Sequence, residues 1–386
     1  MKKKIAIVTD TGFQKKEFER FFINNLCKEF DIFVFDFTKV TNPSLYKIVK
    51  KNQIKLRNFY KVNNFKNFEN FFLNKKFFTT ILNINNYELV VKINNFFKKN
   101  SVSVTLIQNH FVMPFKKTLF QKISSSIYTL LDKKRILLKI RYLSYKKKNT
   151  FHVTNAFVCG RKALNHSAIG RETKIIRSHS NEYDIHLRSK FNKQLVNIRK
   201  NDYAVFLDQY LPFHTDAKIF KKLNSKVSEE KYFPALNNFF SLFEKNTKKK
   251  IIIAAHPKSY YSNKDKNFWY GRSFYKNKTY ELIRNSSYVL AHTSTAISYA
   301  VILKKPIIFL TSNEYIKSYD NFRVHGYADY FKQPLINIDE LKEFKFNSKL
   351  TKIQKKVYKK YFDDYIKFPK SSMIELNKIF INHFKN

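Results

Sequence analysis

Short apolar runs, separated by longer stretches with helical spacing, set the rhythm of this chain. KIAIVTD (Lys4 to Asp10), DIFVFDF (Asp31 to Phe37), TTILNI (Thr79 to Ile84) and SVTLIQ (Ser103 to Gln108) read as strands. They are too short for helices and too continuously apolar for a half-exposed sheet, which fits strands covered on both faces. Between them, Phe13 to Phe30, the segment after Asn42 and the amphipathic segment ending at Lys99 read as helices. Strand and helix in strict alternation predict βαβ units around a parallel sheet. From Pro114 to Lys148 apolar residues keep helical spacing among many lysines and arginines. FHVTNAFV (Phe151 to Val158) and TKIIRS (Thr173 to Ser178) then return to strand character.

The stretch from His179 to Lys200 is polar and carries no strand signal, so a domain junction is placed there. After it the alternation restarts. DYAVFLD (Asp202 to Asp208), KKIIIAA (Lys249 to Ala255), YVLA (Tyr288 to Ala291) and PIIFL (Pro306 to Leu310) read as strands. Ser228 to Lys245, Thr279 to Asn285 and Ser294 to Leu303 read as the helices between them. Two further helices are expected near the end, Lys352 to Phe368 and Ser371 to His383. The pattern predicts an α/β domain over 1–180 and a second over 201–386, the latter carrying the terminal helices. No internal repeat of solenoid length is visible.

A length of 386 residues suits about two domains with their own cores. At 44% hydrophobic and 17% aromatic the chain is no disordered polyelectrolyte. Two cysteines, Cys27 and Cys159, are too few for a disulfide framework and point to a reducing compartment. Only four apolar residues follow the opening lysines before Thr9, which is no signal peptide, and no apolar run approaches a membrane span. A cytoplasmic protein is expected. The net charge of +45 accompanies an excess of Lys and Asn and a scarcity of Gly (5) and Pro (8). That joint bias matches A+T-rich coding, which fills tolerant surface sites with Lys and Asn. A surface so basic is still drawn to polyanions. Zinc-finger spacing, RNP1-like strands and basic zipper arms are absent, so a nucleic-acid partner is not expected. The inner membrane leaflet or an acidic substrate is the expected partner. The basic stretch from Phe115 to Lys148 fits an interfacial helix on anionic lipid, or a packed helix with a solvated lysine face.

Ligands of open parallel sheets bind beyond the carboxyl ends of strands. The second half places polar residues at three such ends: Asp208-Gln209-Tyr210, His256-Pro257-Lys258-Ser259 and His292-Thr293-Ser294-Thr295. One hydroxyl suffices to cap a helix. The surplus of Thr293, Ser294 and Thr295 suits a phosphate, which a helix start also favours. No Walker or GxGxxG pattern exists to do that work instead. Pro257 restricts His256 to extended backbone, aiming its imidazole out of the strand end as a general acid or phosphate donor. Lys258 adds charge beside it. Asp208, one of 29 acids among 74 bases, is a candidate general base. In the first half, Asp10 and Gly12 of TDTG and His110 of IQNHF also follow strands and are candidates on the acceptor side. His292 has no assigned role, and HSNEYD (His179 to Asp184) reads as a hinge turn. The ten histidines are dispersed, with neither HExxH nor CxxC, so no metal or other cofactor is expected.

A strand-end acid (Asp208), a His-Pro pair (His256-Pro257) and a hydroxyl cluster (Thr293-Ser294-Thr295), in that order, resemble the bacterial sialyl- and polysialyltransferases. The Kdo transferases of capsule assembly and the CDP-glycerol glycerophosphotransferases are similar around the His-Pro pair. The resemblance spans roughly Tyr203 to Leu310. It implies a GT-B fold: two Rossmann-like domains facing a cleft, with C-terminal helices. It further implies an inverting, metal-independent glycosyltransferase of surface polysaccharide or lipooligosaccharide synthesis. The donor would be a nucleotide sugar, CMP-activated and sialic acid- or Kdo-like, and the acceptor a glycan or lipid-linked glycan. Asp208 would deprotonate the acceptor, His256 would meet the CMP phosphate, and Ser294 and Thr295 would hold it. Two positions depart: where the family has a second acid and a glycine, this chain has Gln209 and Tyr210. Alternatives are a CDP-glycerol-type polyol-phosphate transferase, a nucleotide-sugar 2-epimerase, or a non-catalytic basic protein that binds nucleic acid or membrane.

Overall fold

The computed structural model describes residues 2–50, 53, 54, 56–109, 113, 152–189, 202–213, 227–261, 268–317 and 321–385. His110 and the basic stretch 115–148 lie outside the described residues. The chain divides into two compact units. In the first lie the described residues before 110, then 152–184 and 367–385; residues 185–366 make up most of the second.

The first unit is built on seven strands: β1 (Lys4–Thr9), β2 (Asp31–Asp36), β3 (Phe59–Lys61), β4 (Thr79–Asn83), β5 (Val104–Gln108), β6 (Asn155–Val158) and β7 (Lys174–Arg177). They pair in the order β3-β2-β1-β4-β5-β6-β7, every pair parallel. The alternation along each strand sorts its side chains onto two buried faces. Ile5 and Ile7 of β1, with Ile32 and Val34 of β2, pack under the Ile23–Glu29 helix. Ala6, Val8, Phe33 and Phe35 pack on the opposite face under Phe65–Lys75 and Tyr87–Lys99. Both faces are covered, which is why the sequence shows apolar runs rather than alternation.

The segment Phe13 to Phe30 is two helices rather than one. Lys15–Arg20 and Ile23–Glu29 meet at Phe22, whose φ of 53° puts it in the left-handed region. The second departure concerns the chain end. The expectation over 201–386 gave the last helix to the second domain, whereas Leu376–Lys385 packs in the first unit. Leu376, Ile379, Phe380 and Phe384 join Ile5, Ile7 and Phe157 in one core cluster. The Phe380 and Phe157 rings lie 4.4 Å apart. An amphipathic helix goes where an apolar face lacks a cover, and that face belongs to the first sheet.

The second unit carries β8 (Tyr203–Leu207), β9 (Lys250–Ala255), β10 (Phe274–Lys276), β11 (Tyr288–Ala291), β12 (Ile307–Thr311) and β13 (Leu335–Asn337). Their order is β10-β9-β8-β11-β12-β13, again all parallel. This is the doubly wound Rossmann order, whose winding reverses between β8 and β11. In doubly wound sheets ligands bind beyond the carboxyl ends of the two strands at such a reversal. The three polar strand ends read from the sequence follow β8, β9 and β11.

Candidate functional site

Asp208 leaves β8 with its carboxylate buried, 5% exposed. One oxygen accepts the Tyr210 amide at 2.7 Å, the other the His256 amide at 3.1 Å. The first bond closes a tight turn in which Tyr210 takes a left-handed φ of 56°, uncommon for an aromatic residue and held by the surrounding bonds. The second ties the end of β8 to the end of β9. Burial raises the Asp208 carboxyl to about 6, although both amides pull it down. Burial, and after it the Asp208 charge, raises the neighbouring Tyr261 hydroxyl.

Gln209 does the matching work on the other side. Its Oε1 accepts the Thr293 amide at 3.0 Å, and its Nε2 donates to Thr293 Oγ1 at 2.7 Å. A carboxamide offers one acceptor and one donor, and Thr293 presents the complementary pair. Asp208 and Gln209 therefore staple three strand ends together, β9 through His256 and β11 through Thr293. The sequence marked Gln209 only as a departure from an acidic pair; its partner lies 84 residues away and carries no local signal.

The half-buried His256 ring has its Nδ1 accepting the Lys258 amide at 3.1 Å. That bond places the neutral ring's proton on Nε2. Pro257 and Lys258 are exposed beside it. The three hydroxyls of the β11 loop separate. Thr293 is buried and committed to Gln209 and, at 3.4 Å, to the Tyr315 hydroxyl. Ser294 Oγ accepts the Ala296 amide at 3.2 Å, a turn that leads into the six-residue helix Ile297–Ile302. Thr295 is exposed.

His292 is fully buried and structural. Its Nδ1 donates to the Leu310 carbonyl at 2.6 Å, and its Nε2 accepts from the Tyr232 hydroxyl at 2.8 Å. Burial lowers its pKa to about 4, so the ring is neutral at ordinary pH. Tyr232, on the helix Glu229–Thr247, is a partner that sequence reading did not find. Nothing in its spacing distinguishes it from core aromatics.

The acceptor-side candidates serve the first sheet's own loops. Asp10 accepts the Asn85 amide at 2.9 Å and the Asn86 amide at 2.6 Å, linking the ends of β1 and β4; burial raises its carboxyl. Gly12 has φ +76°, and a Cβ there would stand 2.7 Å from Val49 Cγ2. Its amide donates to Thr38 Oγ1 at 2.6 Å. Asp10 and Gly12 belong to the first unit, while Asp208, His256 and Thr293 are brought together in the second. Among the described residues no three His, Cys, Asp or Glu side chains gather in a metal-holding group, and no helix is long and apolar enough to cross a membrane.

No family model matches the chain, and no curated protein matches it. Solved structures do. The chain is similar to a variant of the wall teichoic acid polymerase TagF soaked with CDPG, with TM-score 0.53, 11% identity, and 99% of this chain and 88% of that one covered. It is also similar to the UDP-GlcNAc 2-epimerase of Methanocaldococcus jannaschii, with TM-score 0.48, 14% identity, and 99% and 100% of the two chains covered. At such identities the likeness speaks for the fold. Two Rossmann-type parallel sheets, superposable over nearly the whole length on a polymerase of this architecture, give the chain a fold of the GT-B type.

Proposed function

We propose that this protein is a glycosyltransferase that takes a nucleotide-activated sugar at the carboxyl edge of its second sheet and transfers the sugar to a glycan acceptor. One observation carries the reading: His256, Ser294 and Thr295 stand at loops that Asp208 and Gln209 staple around the winding reversal of a Rossmann sheet. The Nε2–H of His256 donates to the phosphate as the sugar departs, and Ser294 and Thr295 supply hydroxyl donors to the same group. Asp208 has two tasks. It holds the His256 amide, and it takes the acceptor proton, for which a carboxyl raised to about 6 is suited near neutral pH. The proposed donor is a CMP-linked sugar of the sialic acid or Kdo type, used without a metal. The acceptor is a surface glycan or its lipid-linked precursor, met at an anionic inner membrane surface.

A second reading is favoured by the likeness to TagF, whose structure was soaked with CDPG: a CDP-linked polyol-phosphate transferase using the same histidine. Thermal melting with CMP, CDP and UDP separates the two. CMP is expected to raise Tm most, and His256→Ala to abolish the rise. A larger rise with CDP moves the donor to the second reading; no rise with any of the three removes the nucleotide site altogether.

A further inference from the structure

The first unit contains a cavity of its own. It holds about 190 Å³ and opens where the loops after β2 and β3 meet the start of the Tyr87–Lys99 helix. Phe37, Val62, Phe65 and Leu89 form its apolar lining, continuous with the core under that face of the sheet. Asn64 and Asn86 line it as well. Each asparagine caps a helix through its Oδ1: Asn64 accepts the Lys66 amide at 2.8 Å, and Asn86 the Leu89 amide at 2.9 Å. A capping bond fixes the carboxamide plane and spends only the oxygen. Neither Nδ2 group makes a hydrogen bond among the described residues. The cavity thus joins an aromatic wall to two pre-oriented amide donors.

Size and chemistry narrow the occupant. An apolar cavity of about 150 Å³ holds one benzene ring, so this one holds a single six-membered ring and little more. A purely apolar ring would leave the half-buried Asn86 donor without a partner, at a cost of about 1–3 kcal/mol once water is excluded, and would bring nothing to the exposed Asn64, Glu88 and Lys92 at the rim. A pyranose satisfies both sides. Its axial C–H face lies on the partly exposed Phe65, and its ring-edge oxygens accept from Asn64 and Asn86. We infer that this cavity is a carbohydrate subsite that holds one pyranose unit of a glycan. It opens at the carboxyl ends of β2, β3 and β4, and the amide of Asn86 in its lining is held by Asp10 at the end of β1. The bound unit would belong to the glycan acceptor.

This inference rests on the sugar-transfer reading only for its choice of ligand class, and its test is independent of turnover. Saturation-transfer NMR on the full chain, with methyl glycosides of glucose, galactose, N-acetylglucosamine and a sialic acid, is expected to find at least one binder. Asn64→Asp keeps the capping oxygen and removes the donor, so Tm should hold while the Kd of that glycoside rises about tenfold, as loss of one hydrogen bond predicts. Phe65→Ala should weaken it as well. Absence of binding by every glycoside at millimolar concentration, or a Kd unchanged in both variants, overturns the inference. Melting with nucleotides, run on the same variants, keeps the readings apart. A nucleotide response without sugar binding removes the subsite alone, and sugar binding without a nucleotide response removes the donor site alone.

Discussion

His292 is the point at which pH should act most plainly on the second unit. Its imidazole is fully buried between the Leu310 carbonyl and the Tyr232 hydroxyl, and burial lowers its pKa from an ordinary 6.5 to about 4. A lowered histidine favours folding while the unfolded chain is also neutral, above pH 6.5. That contribution is lost as pH falls toward 4, because the unfolded state takes up the proton first. The full difference is about 3 kcal/mol, of which about 2–3 kcal/mol has gone by pH 4.5. His292→Asn keeps a donor toward Leu310 and cannot titrate. It loses about 1–3 kcal/mol through the stranded Tyr232 hydroxyl, equally at every pH. The assay is urea unfolding of wild type and variant from pH 7.5 to 4.5. Fluorescence of Trp269 reports on the right unit, since it is the only tryptophan and its buried ring lies 6.3 Å from that of Phe206, which in turn abuts His292. Asp208 titrates in both proteins and cancels in the difference. The stability gap between wild type and variant should shrink by about 2–3 kcal/mol on acidification. Parallel curves would refute a buried neutral histidine.

Gln209→Ala strands the buried Thr293 amide and leaves the Thr293 hydroxyl only its 3.4 Å contact with Tyr315, and should cost about 1–3 kcal/mol, read as a fall in the unfolding midpoint. Gln209→Glu should recover most of it, because the Thr293 hydroxyl can donate to a carboxylate, while the added charge weakens nucleotide binding. Turnover should fall as pH drops through about 6, where Asp208 takes up its proton, and Asp208→Asn should lose turnover about 100-fold and abolish that limb; a pH profile unchanged in the variant would exclude Asp208 as the base. Phe380→Ala should cost about 3–5 kcal/mol in the first unit, measured by hydrogen exchange in β1 and β6, although the residue lies at the chain's far end.

Most of the fold was legible because its strands are covered on both faces and are long enough to show it. The three strands that escaped notice, Phe59–Lys61, Phe274–Lys276 and Leu335–Asn337, are sheet edges of three residues. Three residues hold no period, and none of these strands is fully buried. The break at Phe22 carries neither glycine nor proline to announce it. The docking of the last helix on the first sheet is a contact across the whole chain, invisible to any local window. At the site, Asp208, His256 and Thr293 stood out as polar residues ending apolar strands. What they do to one another did not, since hydrogen bonds between residues 48 and 84 positions apart depend on strand order. Gln209 shows the limit well: a departure from a resembled pattern on the page is a two-bond clamp in the fold.

His256 stands at the centre of the proposed nucleotide-sugar chemistry. The direct measurement is release of the nucleoside phosphate from a panel of CMP-, CDP- and UDP-linked donors, with and without glycan acceptors. Wild-type protein should turn over one nucleotide class, faster with an acceptor present, and His256→Ala should lose that turnover while melting as wild type does. Equal rates in wild type and His256→Ala, or no release from any donor, would rule out nucleotide-sugar transfer at His256.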